Sequence, residues 1–188
     1  MKKRSREIIE IIADVVAAVP EGCDIVQFDG REFIKTPCPA VSYRFGNAQY
    51  LKDCLDVNSK SYIGTIAKFP LIHLFCPFNE QRNLPDLHSK ASVRLVITCS
   101  SRKDWSNEER LVYSFQNILR PIYRAFLEKL EEDGRLDFGY DGIVPHSYSE
   151  NYSYGRYGAF TPSGEEVSEP IDAIVISNLE LKVKLPNC

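Results

Sequence analysis

Three residues of the chain could bind a metal ion together if the fold brought them close: His73, Cys76 and His88. Imidazole nitrogen and thiolate sulfur are ligands that zinc prefers. His73 and Cys76, however, are three residues apart in an apolar run that we predict to be a strand, so their side chains should point to opposite faces. We therefore interpret these residues as packed or surface side chains and predict no metal site.

The sequence contains none of the motifs that would indicate nucleophilic or phosphoryl chemistry. It has no G-x-S-x-G and no G-x-x-x-x-G-K, and Gly155 and Gly158 follow no predicted strand. His146 follows Pro145 in a long irregular segment, where hydrogen bonding or solvent exposure is more usual than general-base catalysis. We predict no enzyme, no catalytic residue and no cofactor.

Acidic residues occur as adjacent pairs at predicted helix ends or in loops: Glu108 with Glu109, Glu131 with Glu132, and Glu165 with Glu166. In such places carboxylates complement the helix dipole and increase solubility. A metal-dependent nuclease would need acidic residues that converge from different strands. The sequence leaves that alternative open.

The charge of the chain gives no overall reason to expect nucleic-acid binding, because the formal net charge of its 188 residues is −3. One basic cluster lies at the N-terminus: Lys2, Lys3, Arg4 and Arg6. We interpret it as the solvated start of a helix, with contact to a DNA backbone as the alternative. The six cysteines include no C-x-x-C pair, which indicates free thiols in a reducing compartment.

The N-terminal apolar run is interrupted by Glu7, Glu10 and Asp14, so we expect no secretory leader. No other run approaches the roughly 18 apolar residues of a membrane-spanning helix. We therefore expect synthesis and release in the cytoplasm and no membrane partner.

Residues 134–170 have almost no hydrophobic periodicity, yet they contain seven aromatic residues. Structureless connections longer than about 12–15 residues are uncommon in compact domains and are usually functional or disordered. Disordered segments are poor in aromatic residues, whereas a mixture of Tyr, Ser, Asn and Gly is typical of recognition loops. We predict that 134–170 is an extended interaction loop whose contacts are made by Tyr148, Tyr152, Tyr154, Arg156, Tyr157 and Phe160.

We expect this loop to form a subunit interface. Two alternatives remain open: a cover packed on its own domain, and a disordered or nucleic-acid-binding segment that uses Arg156 and the tyrosines. If the loop is an interface, deletion of residues 147–159 should leave the protomer folded and abolish assembly.

Apolar residues recur at steps of three and four in two segments, which predicts amphipathic helices between Ser5 and Pro20 and between Ser106 and Gly134. Ser5 is the expected N-cap of the first helix. The second helix starts with a capping box of Ser106 and Glu109, and Pro121 predicts a kink in its middle.

Short apolar or alternating runs predict strands at 40–45, 70–76, 91–99 and 171–185. We expect the second and third of these to pair as antiparallel neighbours, with a polar loop at 79–89 between them. Residues 46–69 are left unassigned apart from a helical turn at 48–55.

Asp29 and Gly30 predict a β-hairpin between strands at 24–28 and 31–35, because both central positions of a type I′ turn need positive φ. The strands come in runs and do not alternate with helices, which predicts an α+β fold with a mainly antiparallel sheet and two helices packed on one face. The hairpin and the loop would extend as arms. We predict a single domain over 1–188, with its core in 1–133 and 171–188.

This layout resembles the small tail terminator and tail completion proteins of tailed bacteriophages and the related ring proteins between portal and tail. The resemblance rests on the opening helix (RSREIIEIIADVVAAV), the hairpin, a strand followed by a long helix (ASVRLVITCSSRKDWSNEERLVYSFQNILRPIYRAFLEKL) and a closing strand (SEPIDAIVISNLELKVKL). It covers most of the chain and includes no diagnostic motif. The loop is longer and more aromatic than a minimal terminator needs, so the kind of ring stays open.

The resemblance implies a non-enzymatic virion structural protein, made in the host cytoplasm, that forms a homo-oligomeric ring at the head–tail junction or tail end. Its implied partners are further copies of itself, neighbouring portal, connector or tail proteins, and DNA passing through the ring. The hairpin with Asp29 and Gly30 and the loop would then reach neighbouring subunits. The alternatives are a cytoplasmic nucleic-acid-processing enzyme or nucleic-acid-binding factor, and a monomeric adaptor.

Overall fold

A computed structural model of the chain describes residues 5–28, 31–57, 69–83, 88–157 and 169–184. Its helices are α1 (Ile8–Ala18), α2 (Ala48–Val57) and α3, a continuous helical segment composed of Asn107–Arg110, Leu111–Leu119 and Arg120–Glu132. Its strands are β1 (Asp24–Phe28), β2 (Phe33–Pro37), β3 (Ser42–Gly46), β4 (Leu71–Phe75), β5 (Glu80–Asn83), β6 (His88–Ser100), β7 (Ser147–Tyr157) and β8 (Glu169–Lys184).

Six of the described strands form one sheet in the order β3-β4-β6-β8-β7, with β5 also paired to β6. The strands β3 and β4 run parallel and are connected through α2, whereas the other neighbouring pairs are antiparallel. One edge of β6 pairs along its length with β8. The two strands β4 and β5 therefore lie end to end along the other edge of β6. The predicted α+β fold with a mainly antiparallel sheet is confirmed, as is the antiparallel pairing of β4 with β6.

The hairpin strands β1 and β2 form a separate two-stranded antiparallel sheet. Phe28 pairs with Phe33, so residues 29–32 connect the strands and the predicted two-residue turn is wrong. Both phenyl rings lie 5.2 Å from the ring of Tyr113 on α3, and this tertiary contact favours the observed register over the one that the turn alone predicts. The predicted turn residues Asp29 and Gly30 lie outside the described residues.

Two buried clusters lie on alternate residues of the same strands. The main core joins side chains of α1, α3 and the hairpin to Ile72, Leu74 and their neighbours on β6 and β8. A smaller second core contains Leu51 and Leu55 of α2 together with Leu71. Because successive strand residues point to opposite faces, the two cores lie on opposite faces of the sheet. Each fully buried Leu or Ile stabilises the fold by about 1.5–3 kcal/mol, so these contacts supply most of what holds the helices.

The two long helices begin differently. At the start of α3, the Ser106 hydroxyl accepts from the Glu109 N–H at 3.2 Å and the Glu109 carboxylate accepts from the Ser106 N–H at 2.7 Å, which confirms the predicted capping box. At the start of α1, the N-cap position is Glu7, and the Ser5 hydroxyl accepts from the Glu7 N–H at 3.2 Å. The prediction that Ser5 itself is the N-cap is therefore wrong.

The middle of α3, Leu111–Leu119, is a π-helix, which is wound more widely than an α-helix. At its end the Arg120 N–H donates to the carbonyl of Phe115, five residues earlier. Pro121 follows and has no N–H to donate to Asn117, so regular α-helical bonding cannot continue through this point. We attribute the change in winding to the missing donor, and the kink predicted at Pro121 stays a prediction.

The prediction of a structureless loop over 134–170 is wrong for β7. This strand pairs antiparallel with β8, from Ser147 opposite Ser177 to Tyr157 opposite Glu169. Its sequence lacks an apolar period because β7 is an edge strand rich in Tyr and Ser, and backbone pairing with β8 defines it. Deletion of residues 147–159 would therefore remove a strand of the sheet, and we no longer expect it to leave the protomer folded.

The loop predicted at 79–89 is also wrong, because the segment contains β5 and the start of β6. The sequence of β5 is Glu-Gln-Arg-Asn, and the strand pairs with β6 from Glu80 opposite Ala91 to Asn83 opposite His88. An all-polar strand gives no hydrophobic alternation to detect. In the unassigned range 46–69, the predicted turn at 48–55 is the full helix α2.

A β-bulge in β8 keeps its two halves facing the same core. Ile176 and Leu179 are both buried in the main core, although residues three apart in a regular strand point to opposite faces. Leu179 pairs with Val93 and Ile176 pairs with Leu95, so β8 contains one residue more than β6 in this interval. Asn178 lies in this interval and has a φ of 52°, a left-handed conformation that Asn tolerates better than most residues.

Candidate interaction surface

The first half of β7 presents tyrosines to α3. The ring of Tyr148 lies 4.9 Å from that of Tyr123, and the ring of Tyr152 lies 4.4 Å from that of Phe115. Each strand tyrosine also keeps a solvent-exposed side, with 42% of Tyr148 and 37% of Tyr152 accessible. These two predicted contact residues therefore pack on their own helix and still present aromatic surface outward.

Glu150 lies between the two tyrosines in the strand and connects β7 to α3 through charge. Arg120 donates two hydrogen bonds to its carboxylate, at 2.7 and 3.1 Å, and the Tyr148 hydroxyl donates a third. Hydrogen bonding to Arg120 lowers the pKa of Glu150, while burial and the neighbouring carboxylate raise the pKa of Tyr148 to about 12. At neutral pH Glu150 is thus an ionised acceptor and Tyr148 a neutral donor.

His146 leads into β7 and makes two hydrogen bonds. Its Nδ1 lies 2.8 Å from the carbonyl oxygen of Val144, and because a carbonyl only accepts, this nitrogen carries the proton. Its Nε2 lies 2.6 Å from the Tyr123 hydroxyl, which donates to it when the imidazole is neutral. Burial raises the pKa of Tyr123. The hydrogen-bonding role expected of His146 is confirmed.

A bulge changes the direction of the side chains in the second half of β7. The pairing register with β8 shifts between Asn151 and Gly155, and Ser153 within this interval has a φ of 63°. After the bulge, Tyr154 packs against the second core, on the sheet face away from α1 and α3. The predicted contact residue Tyr154 is therefore partly buried in its own domain.

Ser153, which is itself exposed, belongs to a polar network centred on the buried Asp172 of β8. The Asp172 carboxylate accepts from the Ser153 N–H at 2.9 Å, from the Ser114 hydroxyl at 2.8 Å and from Arg110 at 3.3 Å. Arg110 also donates to the Ser153 hydroxyl. The side chains of Arg110 and Asp172 are 9% and 0% exposed, so this ion pair is buried. We interpret the network as the polar connection between α3, β7 and β8.

The remaining predicted contact residues cannot be assigned to the surface. Arg156 and Tyr157 are the last residues of β7, and the structure describes their backbone only. Phe160, Asp29 and Gly30 lie outside the described residues. Their predicted contacts stay predictions.

A second aromatic surface, which the sequence did not reveal, lies where the hairpin meets α3. We call Phe28, Phe33, Trp105 and Tyr113 the hairpin aromatic cluster. Tyr113 is central, with the Phe28 ring stacked on it at an interplanar angle of 8° and the Trp105 ring edge-on at 4.8 Å. Phe28 and Phe33 remain 37% and 47% exposed, which is unusual for contiguous aromatic side chains. In the sequence, only the two phenylalanines on either side of the turn could have indicated this cluster. Their partners, Trp105 and Tyr113, come from a distant part of the chain.

The residues that could have bound a metal are used in other ways. His73 is buried and its Nε2 donates to the carbonyl of Gly46 at 3.1 Å, and burial lowers its pKa. His88 lies 3.4 Å from the carboxylate of Asp137. In the described ranges, no three or more His, Cys, Asp or Glu side chains are grouped so that they could hold a metal ion.

Comparison with protein-family models gives no match, and comparison with curated proteins gives no relative of significant similarity. Across the part of the chain that the structure describes, no helix has both the length and the apolar character needed to cross a membrane. The surface and the order of the elements are therefore the basis for a functional proposal.

Proposed function

We propose that this chain is a non-enzymatic structural protein of a tailed bacteriophage virion, a protomer of a homo-oligomeric ring at the head–tail junction or tail end. The observation that carries the proposal is the aromatic surface exposed on both sides of α3. Tyr113 contacts the hairpin, whereas Phe115 and Tyr123 contact β7, so α3 separates two aromatic surfaces. Aromatic side chains are enriched in the buried centres of protein interfaces.

The separation of the two surfaces supports a ring over a symmetric dimer. A contact that joins the hairpin side of one copy to the β7 side of the next uses two different patches, and such heterologous contacts close into rings when the rotation per subunit allows it. The layout of the sequence favours the same reading, because its opening helix, hairpin, long helix and closing strand resemble those of the tail terminator and completion proteins. Neighbouring portal, connector or tail proteins are the proposed further partners.

Assembly of the purified chain tests the proposal. Mass photometry and negative-stain images, alone and with neighbouring head–tail gene products, should show a ring of one defined mass. Phe33→Ser should reduce assembly because Phe33 contributes exposed surface to the hairpin aromatic cluster. Tyr140→Ser is the matched control, because Tyr140 is fully exposed and has no described ring contact. A chain that stays monomeric and joins no virion contradicts the proposal.

Nucleic-acid binding is the second candidate, supported by charge on the sheet face away from the main core. Lys90, Arg94 and Lys182 alternate with core residues on β6 and β8, and Lys90 lies directly opposite Lys182. Adjacent like charges repel each other unless an anion lies between them. Lys182 is partly compensated by Asp137, at 3.1 Å, and the exposed Glu180 lies on the same face two residues before it.

Fluorescence anisotropy with labelled DNA separates the two candidates. A nucleic-acid-binding protein should lose affinity steeply as salt increases, and Lys90→Gln should reduce the dependence on salt. As an unassembled monomer, the ring protomer should show no binding at physiological salt, because DNA passes through the ring only after assembly. Tight, salt-dependent binding by a monomer would favour the second candidate.

A further inference from the structure

A cleft of about 540 Å³ lies between α3 and β7. Three residues of the helix and three of the strand line it: Arg120, Tyr123, Arg124, Tyr148, Ser149 and Glu150. Its volume is within the range of about 300–1,000 Å³ that is typical of ligand sites in proteins. The cleft is therefore large enough to receive several side chains of a ligand.

The cleft runs along the outer edge of β7. Successive strand residues point to opposite faces, so a cleft on one face of the strand would be lined by alternate residues only. Tyr148, Ser149 and Glu150 are consecutive and all three line it, which places the cleft at the edge of the strand. At this edge β7 has no paired neighbour among the described residues, so backbone N–H and C=O groups face the cleft.

An open edge alone does not indicate a partner, because β1, β2, β3 and β5 also have an edge without a paired strand in the described ranges. The argument for β7 is the cleft beside it and the regularity of its first half. Residues 147–151 pair regularly with β8 and contain neither lysine nor proline, two residue types that protect edges. Extended peptides bind open edges as an added strand, with main-chain hydrogen bonds for affinity and side-chain contacts for specificity.

The helix α3 forms a wall along this edge. Its earlier part contacts the later part of the strand, through Phe115 and Tyr152. Its later part contacts the start of the strand, through Tyr123 and Tyr148. Helix and strand thus run antiparallel and side by side, and a strand added to β7 would present every second side chain to α3.

The charge of the cleft favours an acidic ligand. Two arginines and one carboxylate line it, and Arg120 neutralises Glu150 through two hydrogen bonds. Arg124 is exposed and makes no hydrogen bond or ion pair with the part of the chain that the structure describes. Glu128, one turn further along α3, does not line the cleft. The Arg124 guanidinium is therefore available to a carboxylate, which it can bind through two parallel hydrogen bonds.

We propose that this cleft binds an extended, acidic segment of another protein, which adds to residues 147–151 of β7 as a further strand. A carboxylate of the segment pairs with Arg124. A β-branched side chain two residues away points to the same side and packs on the rings of Tyr123 and Tyr148. The cleft is formed within one copy of the chain, so the inference does not rest on the ring assembly.

Peptide selection on the immobilised full chain tests the proposal. From a ribosome-displayed library of random peptides of about ten residues, the upper length of usual strands, we expect enrichment of Asp or Glu two residues from Val, Ile or Thr. Fluorescence anisotropy then gives the affinity of an enriched synthetic peptide. Arg124→Gln should weaken binding about tenfold. Arg44→Gln is the matched control and should leave the affinity unchanged, because Arg44 is an exposed arginine of β3, at the opposite end of the sheet.

N-methylation of the peptide tests strand addition without altering the protein. Alternate N–H groups of a strand point to the same neighbour, so methylation of one alternate set should abolish binding and methylation of the other should preserve it. The proposal is wrong if no acidic peptides are enriched, if Arg124→Gln and Arg44→Gln have equal effects, or if neither methylated set loses binding. If the peptide dissociates an oligomer of the chain in mass photometry, the occupant of the edge is a second copy and the proposed partner is wrong.

Discussion

Asp172 connects three elements of the fold through one buried carboxylate. It accepts hydrogen bonds from Arg110 and Ser114 of α3 and from the backbone of Ser153 in β7, while it belongs to β8 itself. A buried ion pair of this kind adds little net stability compared with apolar residues, but loss of one partner leaves a charge buried without compensation. The loss of stability on substitution therefore measures the free energy of the unpaired buried charge and not the net contribution of the ion pair.

The substitution Asp172→Asn should lower the free energy of unfolding by about 3–5 kcal/mol, because Arg110 keeps its charge in a buried site. Urea denaturation at neutral pH measures this loss. Asp104→Asn is the matched control: Asp104 pairs with Arg102 on the surface, where the two side chains are 65% and 60% exposed. Its effect should be about 0–1 kcal/mol. Equal effects of the two substitutions would show that the network is not buried as described.

The Arg120–Glu150 pair makes stability depend on pH in the acidic range. Because hydrogen bonding to Arg120 lowers the pKa of Glu150 below 4.5, the unfolded chain binds the proton first on acidification. The stabilisation is present above the unfolded pKa and is lost as the pH falls through the folded pKa. The difference in unfolding free energy between the wild type and Glu150→Gln should therefore shrink between pH 7 and pH 3.

Urea denaturation of the wild type and of Glu150→Gln at several pH values between 7 and 3 checks the prediction. Glu128→Gln, which removes an exposed carboxylate from the same helix, is the control. If the difference in unfolding free energy between the wild type and Glu150→Gln stays constant with pH, protonation of Glu150 is not coupled to folding.

At the scale of elements, burial on one face determined what the sequence could predict. The strands β4 and β6 and the helix α3 carry long apolar patterns, and Ser106 and Glu109 identify the start of α3 directly. The strands β5 and β7 pair through their backbones while their side chains are polar or aromatic, so no periodicity marked them. For the same reason the packing of Tyr148 and Tyr152 on α3 was not predictable, and their role as contact residues stays a prediction made from residue type. The hairpin aromatic cluster combines residues from separate segments of the chain, and a local sequence pattern does not predict contacts between distant segments.

The bulge in β8 gives a test of element geometry. Asn178→Val should destabilise the chain by about 1–2 kcal/mol, because a β-branched residue resists the left-handed conformation that Asn178 adopts. Asn178→Gly should be nearly neutral, since Gly enters this region without steric cost. Thermal or urea unfolding of the two variants measures the contrast. Ser177→Val, one residue earlier, controls for the added apolar side chain, and equal losses at both positions would contradict the bulge.

At the scale of the molecule, the main core joins elements from both ends of the chain. Ile8 of α1, Ile25 of the hairpin, Phe126 of α3 and Val183 of β8 belong to one buried cluster. Elements that share a core in this way unfold together in most single domains of up to about 150 residues, and we expect the same of this somewhat longer chain. The single domain predicted over 1–188 therefore implies a single cooperative transition, in which the hairpin does not separate first.

Trp105 makes this cooperativity measurable, because it is the only tryptophan of the chain and its ring contacts Tyr113 in the hairpin aromatic cluster. Its fluorescence follows the contact with Tyr113, whose ring also packs on Phe28 and Phe33 of the hairpin, while far-UV circular dichroism follows the helices and the large sheet. We expect coincident urea midpoints for the two probes, and Phe126→Ala should lower both together by removing about 3–5 kcal/mol from the shared core. If the fluorescence transition comes at lower urea than the dichroism transition, the hairpin is a separate unit that leaves the core early.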